Sequence, residues 1–156
     1  MHAQTVARLD TAPESPFIAA PSFLPRAWAS PPPRVLVVDD EPLVRWSVAE
    51  TLTARGYQVI ETGSGEAAIY TLMSGPGDTD VVLLDLMLPD FCDLSLLAAL
   101  RRLAPAVPII MMTAFATPEL VARARALGAF SVIDKPFELH DLAPMIRQAM
   151  LAARPS

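Results

Sequence analysis

The sequence predicts an α/β fold: one sheet of five parallel strands, doubly wound, with helices on both faces. Three observations predict it. Short continuous apolar runs recur between residues 34 and 153, segments with apolar residues three or four apart alternate with them, and cap residues mark the joins. Continuous runs signify strands buried on both faces, as in a helix-covered parallel sheet. Apolar residues at a spacing of about 3.6 mark helices that bury one face.

The elements follow in order. Residues 35–38 are the first strand. Asp40-Glu41 precedes Pro42, which suits a first helical turn, and Val44, Val48 and Leu52 carry the first helix. A more mixed run at 57–61 is the second strand, after which Ser64 stands before Gly65-Glu66 as a helix cap. Residues 81–84 form the third strand, and Leu96, Leu97 and Leu100 the third helix. After a fourth strand at 107–112, Thr117-Pro118-Glu119 opens a helix carried by Leu120, Val121 and Ala124. The fifth strand is 131–133, and Leu142, Met145, Ile146 and Ala149 carry the last helix. Pro144 is compatible with that helix if Asp141 caps it, because an N–H in the first turn has no intrahelical partner to lose. Five β-α units of this size suit the flavodoxin-like strand order 2-1-3-4-5.

Composition narrows the function. A chain of 156 residues, 53% hydrophobic and 19% charged, makes one globular domain with a remainder. The remainder is residues 1–33, which hold seven of the 16 prolines, no glycine and no periodicity; a disordered tail is expected there, the folded domain at 34–153 and a short end at 154–156. Ala27-Trp28-Ala29 resembles a signal-peptidase site, but prolines at 13, 16, 21 and 25 break any apolar segment before it. No stretch offers the roughly 18 uninterrupted apolar residues of a membrane helix, so no membrane insertion is expected. Acidic residues outnumber basic ones, 17 to 12, and the basic ones form no run, which argues against direct nucleic-acid binding. Cys92 is the only cysteine, which excludes an intramolecular disulfide framework and suits a cytoplasmic protein. Lys135 is the only lysine.

In a sheet of this order, ligands bind beyond the carboxyl ends of the strands, where the winding reverses between the first and third. The first strand runs into Asp39-Asp40 and the third into Asp85. Parallel neighbours lie about 4.8 Å apart, so three carboxylates converge. Such a cluster would raise its own pKa values without a cation, and hard oxygen ligands suit Mg²⁺. The fourth strand ends at Thr113 and the fifth at Lys135-Pro136-Phe137, which adds a hydroxyl and an ammonium to the same edge. Carboxylates, a divalent cation, a hydroxyl and an ammonium suit phosphoryl transfer to a side chain, with Asp85 as nucleophile.

With these residues in place, 34 to about 153 resembles the receiver domain of two-component response regulators, the superfamily of CheY-like single-domain proteins. The resemblance implies that Asp85 accepts a phosphoryl group from a histidine kinase or phosphotransfer protein. It implies that Asp39, Asp40, Asp85 and the main-chain carbonyl of Met87 hold Mg²⁺, that Thr113, the Ala114 amide and Lys135 bind phosphoryl oxygens, and that the Lys135–Pro136 bond is cis. The protein would be no enzyme beyond the self-catalysed phosphorylation and dephosphorylation of Asp85. Its output would be altered binding to a downstream protein or to a second copy, as a monomer or a phosphorylation-dependent homodimer; a phosphate sink or shuttle is the alternative role. With the chain ending at Ser156, no effector domain of its own is expected.

Several residues depart from the family pattern. Val132 stands where receivers carry a switching Tyr or Phe, and whether Phe130 or Phe115 substitutes is open. Asp93 replaces the usual loop glycine and is expected either to take left-handed backbone angles or to cap the third helix. Met87 and Phe115 flank the approach of water and are expected to slow loss of the phosphoryl group. A different class of function, a dinucleotide-binding module, is suggested by Gly63-x-Gly65-x-x-Ala68. Against it, those glycines follow the second strand and leave Asp39, Asp40, Thr113 and Lys135 unexplained.

Overall fold

The computed structural model describes residues 31–75 and 77–154. The Pro-rich tail lies outside them up to residue 30, as do the last two residues. The chain runs β1 (Arg34–Val38), α1 (Pro42–Thr53), β2 (Gln58–Thr62), α2 (Gly65–Ser74), β3 (Val81–Asp85), α3 (Ser95–Leu103), β4 (Ile109–Thr113), α4 (Pro118–Ala126), β5 (Ser131–Asp134) and α5 (Leu142–Ala153). A 3-10 turn at Leu139–Asp141 leads into α5.

All four strand pairs are parallel, and the order is β2-β1-β3-β4-β5. This is the doubly wound, flavodoxin-like sheet. β1, β3 and β4 are buried almost throughout, which is why they read as unbroken apolar runs. Their alternate residues feed two cores. Leu36, Val38, Val82, Leu84, Ile109 and Met111 face α2, α3 and α4. Val35, Val37, Val81, Leu83, Ile110 and Met112 face α1 and α5. Period-two alternation of the strand thus serves a helix layer on each side.

Element ends moved by a residue or two where local bonding decides them. β2 starts at Gln58 because the Tyr57 N–H donates to Leu52 O at the end of α1. β4 starts after Pro108, because Val107 closes a turn onto Ala104 O. Ser64 and Thr117 cap their helices, accepting the Ala67 and Leu120 amides at 3.2 Å each. Pro144 sits in the first turn of α5, after Asp141.

Gly65 opens α2 against the β3–α3 loop, and an added Cβ would run into the Phe91 ring and lie 2.9 Å from Leu96 Cδ2. Gly65→Ala is therefore expected to lower stability by about 1–3 kcal/mol, as overpacking does. A denaturant midpoint equal to that of the parent would refute the clash.

Candidate functional site

The candidate residues stand at or just beyond the carboxyl ends of β1, β3, β4 and β5, with the carboxylates where β1 and β3 meet. Asp39 follows β1 and is buried; its N–H donates to Thr62 O of β2 at 3.1 Å, and one carboxylate oxygen accepts the Glu41 N–H at 2.9 Å. Asp40 is exposed at the rim. Asp85 ends β3 and is buried. One carboxylate oxygen from each of Asp39, Asp40 and Asp85 lies within 4.8 Å of the others.

The ammonium of Lys135 reaches this cluster from just beyond β5, 2.7 Å from Asp39 Oδ2, 3.2 Å from Asp85 Oδ2 and 3.9 Å from Glu41 Oε1. The Lys135–Pro136 bond is cis. Thr113 ends β4 in a buried position; its hydroxyl accepts the Phe115 N–H at 3.3 Å, and its carbonyl accepts the Lys135 N–H at 2.7 Å. The structure thus brings together three carboxylates and one ammonium. Thr113 and Ala114 stand at the adjacent strand end without a hydrogen bond to the carboxylates among the described residues.

Electrostatics follow from this packing. Burial pushes the Asp85 carboxyl above the usual aspartate value and the charge of Asp39 adds to it, while Lys135 and the Met87 N–H pull the other way without cancelling them. For Lys135, burial alone would lower the pKa. The hydrogen bond to Asp39 and the charges of Asp85 and Asp39 outweigh it and raise the pKa. One ammonium therefore leaves the clustered carboxylates under-compensated, and a divalent cation with oxygen preference fits the donor set.

Four residues near the edge escaped the sequence reading. Asp90 accepts the Gly65 and Glu66 amides at 2.9 Å each, pinning the β3–α3 loop to the start of α2. Asp134 accepts the Ala116 N–H at 2.9 Å and ties β5 to the β4–α4 loop. Arg45 donates to the Asp39 carbonyl at 2.6 Å, and Glu61 pairs with that arginine at 3.5 Å. An acidic residue in a loop or an arginine in a helix carries no mark of such a contact until the chain is folded.

The structure adds to the case against the dinucleotide alternative. With Asp90 bonded to Gly65 and Glu66, and the Ser64 hydroxyl to Ala67, the amides that would face a pyrophosphate are taken, and by an anion of the chain itself. The turn also belongs to β2, the edge strand, and not to the strand at the reversal of order. Gly65 is small because Phe91 packs on it.

The departures resolve in part. Val132 packs with the α2–α4 core, whereas Phe130 lies in the opposite core against α1 and α5. The sheet separates them, so Phe130 does not stand in for the missing aromatic. Phe115 is 81% exposed and Met87 59%. Asp93 takes no left-handed angle; its carboxylate instead accepts the Ser95 N–H at 2.9 Å.

The slight burial of Asp90 would raise its pKa, but the N–H donations from Gly65 and Glu66 and its own N–H win and lower it. The Ser95 hydroxyl and amide lower that of Asp93. A depressed carboxyl stabilises the fold above its unfolded pKa, near 3.9, and loses that contribution as pH falls through the folded value. Asp90→Ala is expected to lower stability by about 1 kcal/mol at pH 7, the size of a lost helix cap, and by less as pH falls below about 3.9. Equal losses at both pH values in thermal melts would count against it.

Comparison with known proteins agrees with this geometry. A family model described as the response regulator receiver domain matches residues 35–147. The transcriptional regulatory protein PdtaR of Mycobacterium tuberculosis is 38% identical over 125 residues, covering 78% of this chain and 58% of that protein. KdpE of the same organism is 36% identical over 116 residues, covering 74% and 50%. The chain thus spans only about half the length of these relatives. Among solved structures, a CheY-like receiver domain from Methanospirillum hungatei superposes with a TM-score of 0.73 at 26% identity, covering 78% of this chain and 96% of that one. CheY4 of Vibrio cholerae does so with a TM-score of 0.70 at 28% identity, covering 76% and 98%. Among the described residues no helix is long and apolar enough to cross a membrane. A doubly wound sheet with three carboxylates and a lysine at its reversal point, matched over 35–147, belongs to the family of response regulator receiver domains.

Proposed function

We propose that this receiver domain is a phosphoacceptor switch in which Asp85 takes a phosphoryl group from a phosphohistidine of a histidine kinase or phosphotransfer protein. The observation that carries it is Lys135 Nζ bonded to both Asp39 and Asp85 beside Asp40. An Asp85 carboxylate oxygen attacks phosphorus, the phosphorus–nitrogen bond breaks, and the departing imidazole nitrogen takes up a proton.

The cation held by Asp39, Asp40, Asp85 and the Met87 carbonyl would be Mg²⁺, whose charge offsets that of the carboxylates and phosphoryl oxygens. The remaining groups belong to the chain. Lys135 exchanges its bond to Asp85 for one to a phosphoryl oxygen, and the Thr113 hydroxyl and Ala114 amide donate to the others. Phosphorylation adds about −1.5 to −2 charge at this edge. Lys135 and Asp134 follow one another in the chain and hold Thr113 O and Ala116 N–H, so a shift of Lys135 is felt in the β4–α4 loop. A downstream protein or a second copy would read that loop and its surroundings, without an aromatic at 132.

Acetyl phosphate with Mg²⁺ is expected to add one phosphoryl group to the wild type by mass, none without Mg²⁺, and to shift the oligomeric state of the Val132→Tyr variant more than that of the wild type. Deletion of residues 1–32 is expected to leave phosphorylation intact, since 34–153 is proposed as the complete receiver. Uptake without Mg²⁺, or loss of uptake in the truncated protein, would overturn the respective statement.

A further inference from the structure

Arg45 lies one turn into α1, and its side chain is mostly buried although guanidinium groups usually reach water. It does not touch the carboxylates. Its Nη1 donates to the main-chain carbonyl of Asp39 at 2.6 Å, and its Nε lies 3.5 Å from Glu61 Oε1 on β2. The guanidinium passes over the end of β2 where Gly63 follows: a Cβ on Gly63 would lie 3.2 Å from Nη1. Gly63 has no positive φ to explain it, so the room it leaves for Arg45 is the reason available for its lack of a side chain.

We propose that Arg45 is a positioning residue for the cation site, fixing the Asp39–Asp40 peptide so that both carboxylates turn into the crevice, with Gly63 and Glu61 fixing Arg45 in turn. This rests on the reading of Asp39, Asp40 and Asp85 as metal ligands. Asp39 is held at three points: its N–H by Thr62, its carboxylate by the Glu41 amide and Lys135, and its carbonyl by Arg45. The carbonyl belongs to the peptide that leads to Asp40, and the amide is planar, so tying that oxygen sets the direction in which Asp40 departs. Asp40 needs the constraint most. It is exposed, repelled by two neighbouring carboxylates, and free to turn toward water if the peptide rotates. A planar fork can serve the Asp39 carbonyl and Glu61 at once in one fixed geometry, which an ammonium reproduces poorly.

The direction of the effect separates positioning from simple charge. Arg45 is a cation near a cation site, so its removal by charge alone would tighten Mg²⁺ binding; loss of a positioning contact would weaken it. The test is titration of the full chain with Mg²⁺ alone by calorimetry, with melting in EDTA as a separate measure of the fold. Arg45→Ala is expected to raise the Kd for Mg²⁺ about tenfold or more, the usual scale for groups that orient ligands. Arg45→Lys should fall between it and wild type, and Gly63→Ala, which presses on the guanidinium, should weaken binding in the same direction by a smaller factor. Unchanged or tighter binding by Arg45→Ala, whatever its melting temperature, would overturn the proposal. Should that variant not fold, Gly63→Ala and Arg45→Lys decide it by the same criterion. Failure of the wild type to bind Mg²⁺ would instead overturn the metal-site reading, and this proposal with it.

Discussion

Asp85→Asn is expected to abolish phosphoryl uptake from acetyl phosphate and, in EDTA at pH 7, to melt at a higher temperature than the wild type. The two effects share one cause. Asp85 is a buried carboxylate beside Asp39, and burial first, then that like charge, raises its pKa against the pull of Lys135 and the Met87 amide. The sign follows from linkage. A group whose folded pKa is raised contributes stability that is fully present below its unfolded pKa, about 3.9, and is lost as pH rises through the folded value. At pH 7, well above the unfolded value, Asp85 is a net burden on the fold. Asparagine keeps the shape and removes the charge and the proposed nucleophile together. A gain of about 1 kcal/mol would move the midpoint by about 4 °C. The advantage should shrink as pH falls through the raised folded value and be gone below about 3.9, where the carboxyl is protonated in both the folded and the unfolded chain. Calorimetric scans in EDTA over pH 3 to 8 would check it, and a lower midpoint for the variant at pH 7 would show that the electrostatic argument has the wrong sign.

Lys135→Ala is expected to act in the opposite direction and more strongly. Its ammonium is 2.7 Å from Asp39 and 3.2 Å from Asp85, and removing it leaves two buried carboxylates facing each other. Breaking a buried ion pair from one side costs about 3 kcal/mol, which here corresponds to roughly 10 °C. Because the Lys135 pKa is raised, its contribution is present below the unfolded value near 10.4 and lost only as pH rises through the folded one, so the loss on substitution is flat across neutral pH. Two comparisons make the test specific. Mg²⁺ should recover part of the lost stability, and in the Asp85→Asn background the cost of Lys135→Ala should fall by about 1 kcal/mol or more, since one stranded charge is gone. Strict additivity of the two substitutions in denaturant titrations would refute the coupling.

The contrast between Lys135 and Arg45 shows where sequence reading reaches its limit. Lys135 was legible because it is the only lysine and stands two residues past the run at 131–133, and a strand end can be located from an apolar run and the proline after it. Asp39, Asp40, Asp85 and Thr113 were legible for the same reason: each follows the apolar run of a strand, and parallel strands bring their carboxyl ends to one edge. Arg45 and Asp90 have no such address, and Asp134, which directly follows the run at 131–133, shows nothing of its partner. Their side chains reach across to Asp39 O, the start of α2 and the β4–α4 loop, and those distances depend on packing, not on spacing along the chain. The Gly63-x-Gly65 turn imitates a phosphate-binding turn for a related reason. A glycine in sequence reports only that a side chain is absent, and whether a phosphate, an arginine or a phenylalanine fills the space is settled by what the fold brings there.

By itself, then, the sequence determined the α/β class, the strand order, the two-faced core and which residues stand at the carboxyl edge of the sheet, because these follow from period-two and period-3.6 burial and from chain direction. Only the tertiary structure decided the state of that edge. It placed Lys135 between Asp39 and Asp85, set Asp90 against the amides of α2, put Phe130 and Val132 on opposite sides of the sheet, and passed Arg45 over Gly63 to the Asp39 carbonyl. The contacts among these join residues on different elements at 2.6 to 3.2 Å, and free energies of that kind depend on distance and burial, which a linear pattern does not carry.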